Sequence, residues 1–191
     1  MDFEEIIYKR RTIRRFKQKP LSIDLLKKLV DFARVAPIAR NIQGLEFIIV
    51  HNEKNREELF PLIRWASSLP EHQRTPEEGR KPTAYFVVLV NTNIKKTYYN
   101  FDVGAAVENI LLGAINFGLG CCWMGAIDRD KIRELFNIPE YFEITHVISL
   151  GYPDEESIME PYEGSFDYWK DEKGLMHVPK KDINEIIYKI F

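Results

Sequence analysis

The sequence predicts an α+β fold on a single central sheet, and three observations carry that expectation. EFIIV (46–50) and AYFVVLV (84–90) are short apolar runs rich in β-branched and aromatic residues, the pattern of buried strands. ITHVISLGYP (144–153) reads as a further strand, ended by glycine and proline. Stretches with helical spacing separate these strands, and no internal repeat or low-complexity linker divides the chain, so the whole of 1–191 is expected to form one layered domain.

Each element follows from local chemistry. Residues 2–10 read as a short helix capped by Asp2. SIDLLKKLVDFARVA (22–36) is amphipathic, with Ser22 as cap and Leu25, Leu26, Leu29, Phe32 and Ala33 at helical spacing. Pro37 marks its end, because the residue before a proline is pushed out of helical geometry. NREELFPLIRWA (55–66) reads as a helix disturbed at Pro61. The polar, proline-bearing stretch that follows is read as a surface excursion or lid at 66–82. FDVGAAVENILLGAINFG (101–118) is apolar around nearly its whole circumference and belongs at the centre of the fold. CCWMGAI (121–127) reads as strand, residues 128–136 as a helix capped by Asp128, and the tail ends in a short helix capped by Asp182.

Charge is unevenly placed. The chain carries 27 basic and 29 acidic residues, yet Lys9, Arg10, Arg11, Arg14, Arg15, Lys17 and Lys19 fall in one window without an acid. A net charge of −2 argues against a general nucleic-acid binder. The opening MDFEEIIYKR has no apolar core segment, so no secretory signal is expected. The most apolar stretch is too short and too polar to span a bilayer. Cys121 and Cys122 are adjacent, with Cα atoms ~3.8 Å apart, below the usual disulfide range. A reducing cytoplasm, inert buried thiols and no metal site are expected.

Three stretches bear on function. If extended, RRTIRRF (10–16) places Arg10, Thr12 and Arg14 on one side, two guanidiniums flanking a hydroxyl, which suits a phosphate. A solvated turn is the plain alternative. A nucleic-acid contact is a third, weakened because no aromatics are interleaved as stacking platforms. In APIARNIQGLEF (36–47), Asn41 and Gln43 lie two apart, so both amides could read one edge of a ring, unless this is ordinary turn chemistry. In GLGCCWMGAID (118–128) the glycines follow a helix and precede a strand, so this is not a dinucleotide fingerprint. Gly118 or Gly120 can end the helix, while Gly125 would let backbone approach a flat ligand.

Taken together and in this order, these stretches resemble the nitroreductase family of flavin enzymes, with PKKDINEII (179–187) as the late basic element. The resemblance covers nearly the whole chain and implies FMN as the anion. It implies a phosphate site at Arg10, Arg11, Thr12 and Arg14, completed by Lys180 or Lys181. Pro37, Ile38, Asn41 and Gln43 would lie against the flavin ring, supplied by the partner subunit, and the backbone of Met124, Gly125 and Ala126 would approach flavin N5, with Gly125 as donor. The implied fold is a mostly antiparallel central sheet flanked by helices, in an intertwined homodimer with interfacial sites. Three charged hydrogen bonds at about 1.5–3 kcal/mol each roughly offset an association cost of about 4–15 kcal/mol, so ring contacts would be needed as well. Thr12 keeps the hydroxyl of the family pattern. Ile38 removes one, and Gly44-Leu45 stands where the family has Pro-Trp.

The activity implied is ping-pong transfer of electrons from NADH or NADPH to a small-molecule acceptor such as a nitroaromatic or quinone. Reductive dehalogenation, or another flavin reductase activity, is the alternative within the superfamily. A non-catalytic flavin carrier or a nucleic-acid binder is the alternative outside enzymes. No catalytic triad, metal cluster or carboxylate pair stands out, in keeping with chemistry carried by a cofactor.

Overall fold

The computed structural model describes residues 1–191. Its core is a five-stranded sheet in which every strand pair is antiparallel. β2 (Leu45–Val50) pairs with β3 (Ala84–Asn91), and β3 pairs on its other side with the 12-residue β5 (Phe142–Pro153). The far edge of β5 serves two partners end to end: β4 (Gly120–Met124) beside Val147–Gly151, and β1 (Phe16–Lys17) beside Tyr152 and Pro153.

AYFVVLV is unbroken in its apolarity because both faces of β3 are covered. Alternation sends Phe86, Val88 and Val90 to one side, where α2 (Ile23–Arg34) and α5 (Tyr99–Asn116) pack through Leu29, Val107 and Ile110. Tyr85, Val87 and Leu89 face the other side, against Leu59 of α3 (Glu53–Leu59), Ile132 of α6 (Arg129–Phe136), and Trp65 and Leu69. A shift in the β3–β5 register between Val88 and Leu89 leaves Thr145 without a partner, and its hydroxyl donates to Val88 C=O at 3.1 Å. This bulge lies at the end of β5 nearest β4's exit.

The expected caps are in place. Asp2 and Ser22 accept backbone N–H groups at the starts of α1 (Phe3–Lys9) and α2. Asp128 and Asp182 do the same for α6 and the terminal turn Ile183–Ile186. Gly118, at φ +70°, takes the left-handed position that closes α5.

Three expectations are corrected. The helix read over 55–66 stops at Leu59, because Pro61 cannot donate a helical hydrogen bond; Phe60–Leu62 tightens into a 3₁₀ turn and Ile63 then bridges Ile127. The strand read over 121–127 ends at Met124. There is also a second sheet, where one was expected. β6 (Ser157–Pro161), β7 (Trp169–Lys170) and β8 (Met176–Lys180) form a three-stranded sheet in which β6 and β8 run parallel. No helix is long and apolar enough to cross a membrane.

Candidate functional site

The basic window runs extended, as β-branched Thr12 and Ile13 favour. Ile13 N–H donates to Cys121 C=O at 2.9 Å and Thr12 bridges Cys121 in parallel, so the window lies along β4. Glycine is needed opposite: a Cβ on Gly120 would stand 2.7 Å from Ile13 Cβ. Arg11, Arg14 and Arg15 are only 9%, 8% and 6% exposed, which is not how a solvated turn holds its charges.

Their partners differ. Arg11 donates to the carbonyls of Arg10 at 2.5 Å and Tyr8 at 2.7 Å, closing the end of α1. Burial, then the neighbouring Arg10 charge, lowers its pKa. Arg15 pairs with Glu77 at 2.7 Å and Glu155 at 3.5 Å. Arg14 makes no ion pair; its guanidinium lies over the Tyr168 ring, 4.7 Å from the centroid, while its backbone N–H donates to Glu155 Oε1 at 2.6 Å. Arg10 reaches Glu108 only at 4.0 Å. The Arg10 and Arg14 guanidiniums, two residues to either side of Thr12 in the chain, therefore keep charge to spare for an anion. The end of β8 is close by: Arg11 Nη2 touches Met159 Sδ at 3.9 Å, Met159 faces Val178, and Lys180 follows two residues on. Lys180 is exposed, whereas the Lys181 amine lies 5.8 Å from the Phe166 centroid.

β4 leads from the window to Met124, Gly125 and Ala126. Met124 is buried in the core. Gly125 C=O accepts from Ile127 N–H at 3.1 Å and Arg129 Nη2 at 3.2 Å, while its own N–H has no acceptor in the chain. Beside it stands His146: a Cβ on Gly125 would lie 3.3 Å from the imidazole. The ring meets Trp123 edge-on at 5.1 Å, and its buried Nδ1 has no partner. Burial, then the Arg129 charge, lowers the His146 pKa, which keeps the imidazole neutral near pH 7. The two thiols are free, buried and inert; burial pushes Cys121 up to about 12, and Cys122 up to about 11 against the opposing charge of Arg14.

The loop after α2 is separate. Pro37, Asn41 and Gln43 are exposed, and Ile38 packs on the α2–α5 core. Arg40 and Asn41 both adopt left-handed φ, +58° and +55°. Gln43 Nε2 donates to Asn41 Oδ1 at 3.3 Å, so the two amides do sit together. No hydrogen bond or ion pair ties this loop to the window or to Gly125 within the chain. Sequence reasoning missed the partners of these residues: Tyr168 under Arg14, Glu155, His146, and the Lys95–Asp102 pair behind the loop. Asp102 alone left a signal, as one of two carboxylates in a largely apolar helix.

The nitroreductase family profile matches residues 7–152. A protein of Archaeoglobus fulgidus, provisionally named NADH dehydrogenase/NAD(P)H nitroreductase, is 32% identical over 159 residues, covering 80% of this chain and 86% of its own. A crystal structure of a nitroreductase family protein from Clostridium novyi superposes with a TM-score of 0.68 at 27% identity, over 98% of this chain and 99% of that one. An FMN-dependent nitroreductase from Clostridium difficile shares the fold with a TM-score of 0.66 at 23% identity, over 84% of this chain and 92% of its own. With its basic window, its tight Gly120 crossing and its free Gly125 N–H set on this sheet, the chain belongs to the nitroreductase family and is an oxidoreductase.

Proposed function

We propose that this chain is a homodimeric, FMN-dependent enzyme that passes electrons from NADH or NADPH to a nitroaromatic or quinone acceptor by a ping-pong route. The observation that carries the reading is Arg14, a buried guanidinium without a carboxylate ion pair, stacked on Tyr168. Arg10, Thr12 and Arg14 hold the phosphate, and Lys180 adds charge from the end of β8, with Lys181 as its neighbour. Arg11, already bonded to two carbonyls, contributes mainly its charge. When bound, FMN supplies hydride acceptance and electron delivery to the acceptor. Gly125 directs its unused N–H at the ring edge where charge develops, with Met124 and Ala126 flanking it. Neutral His146 stands beside this position and adds no competing charge.

Pro37, Ile38, Asn41 and Gln43 serve the site of the second subunit. The isolated chain exposes large apolar side chains that a partner could cover, among them Phe3, Val35, Phe101 and Phe117, with Ile186, Tyr188, Ile190 and Phe191 of the tail. The first test is the visible spectrum of the purified protein, before and after NADH in the absence of air. Flavin bands that bleach are expected, and changing Arg10 and Arg14 together to Ala should abolish flavin retention while the far-UV circular dichroism stays unchanged. A colourless protein that takes up no added FMN, or full occupancy in the double variant, would sink the assignment.

A further inference from the structure

The loop that carries Asn41 and Gln43 is strained and tied from behind. Adjacent left-handed non-glycine residues such as Arg40 and Asn41 persist only where their surroundings over-determine them. Here the surroundings are two buried charges. Asp102, in the first turn of α5, is 2% exposed, Lys95 is 6% exposed, and Nζ lies 2.8 Å from Oδ2. Both also grip Ala39, the residue before the strained pair: its N–H donates to Asp102 Oδ1 at 3.2 Å, and its C=O accepts from Lys95 Nζ at 3.4 Å. Lys95 backs the loop's exit too, because a Cβ on Gly44 would stand 2.6 Å from Lys95 Cβ. Asn91 N–H donates to Gly44 C=O at 2.8 Å, and Asn91 C=O accepts from Lys95 N–H at 2.9 Å. Asn41 and Gln43 therefore lie between two fixed points.

Such a pair is a poor device for stability alone. Desolvation cancels much of its attraction, and apolar replacement of both partners is often neutral or stabilising. What two apolar side chains could not do is hold both polar groups of Ala39 in fixed directions. We propose that Lys95 and Asp102 are positioning residues that preform the 36–43 loop, presenting Asn41 and Gln43 to the edge of the flavin ring. This rests on the flavin reading above.

The test uses full-length Asp102→Asn, Lys95→Met and the double variant Lys95→Met/Asp102→Leu. For each, the urea midpoint, the dissociation constants for FMN and riboflavin, and amide hydrogen exchange of the flavin-free protein are measured. The single variants should lose stability. The double variant should recover the wild-type midpoint, yet exchange its 39–43 amides at least ten-fold faster. It should also bind FMN and riboflavin weaker by the same factor, ten-fold or more, since the loss is at the ring and not the phosphate. A double variant that regains midpoint, protection and affinity together makes the pair merely structural and overturns the proposal. If the midpoint is not regained, exchange decides: a rise confined to 39–43 supports positioning, and a uniform rise that includes β3 overturns it. If the wild-type protein binds no flavin, the functional reading fails separately, and unchanged 39–43 protection in the double variant still refutes the clamp.

Discussion

Asp102 and Glu155 are equally buried carboxylates, each with 3% of its side chain exposed, and they are wired differently. Asp102 meets one cation and one peptide N–H. Glu155 accepts from Arg14 N–H at 2.6 Å and Lys170 Nζ at 2.8 Å, and stands 3.5 Å from Arg15. From Arg15 the chain of charges continues to Glu77, Arg80 and Asp154. One is a point fixture behind a loop. The other is a hub joining the basic window, the 66–82 excursion, the end of β5 and the second sheet. Burial sets what a charge costs; the number of segments it joins sets how far its loss is felt.

Breaking the hub should have the largest effect. Glu155→Ala leaves Lys170 and part of Arg15 unpaired in the interior, and an unfolding free energy lower by about 3–5 kcal/mol is expected. Hydrogen exchange should rise together in 66–82 and in the second sheet; a rise in one without the other would mean the hub does not couple them. A core truncation sharpens the contrast. Leu29 is fully buried between α2 and α5, so Leu29→Ala should cost about 2–5 kcal/mol. It should do so while leaving the exchange of 39–43 within about two-fold of wild type after allowance for global stability, unlike the Lys95 and Asp102 variants.

The smallest expected effect lies at the outer end of the network. Burial alone would raise the Glu77 pKa, but hydrogen bonds from its own backbone, Arg15 and Arg80 prevail and hold it at about 2. A folded-state pKa below the ordinary value means the stabilisation is complete above roughly pH 4.5 and is lost as pH falls towards 2. The 66–82 segment should therefore become more open to an acid-active protease across that window. Glu77 is 48% exposed, so Glu77→Gln should cost no more than about 1 kcal/mol. The variant should flatten the acid profile; an unaltered profile would place the acid sensitivity elsewhere.

How far the sequence could be read follows the range of each interaction. The caps at Asp2, Ser22, Asp128 and Asp182 are local hydrogen bonds, and all four were legible. So was AYFVVLV, because periodicity is local too, while the helix end was narrowed to Gly118 or Gly120, of which Gly118 takes the left-handed position and Gly120 opens β4. The basic window was visible as charge, but charge counts do not show that Arg11, Arg14 and Arg15 turn inward. Tyr168 and Glu155 reach the window from across the chain, and no motif marks them. The second sheet stayed hidden because its strands are short, half exposed and partly parallel, with a pairing set by tertiary contacts rather than pattern. Helical spacing over 55–66 was outweighed by one proline and by the Ile63–Ile127 bridge.

β4 also fixes a length. Thr12 is bridged to Cys121 at one end, and Gly125 lies four residues on, about 13 Å of extended chain. Thr12 is held to β4 by its bridge to Cys121, and Gly125 directly follows Met124 at the other end of the same strand, so the strand ties the two positions together. On the flavin reading proposed above, a ligand gripped by its anion at Thr12 would thereby be measured against the Gly125 N–H. A molecule with the right groups at the wrong separation would then engage one end and miss the other, and the strand would act as a gauge as well as a support.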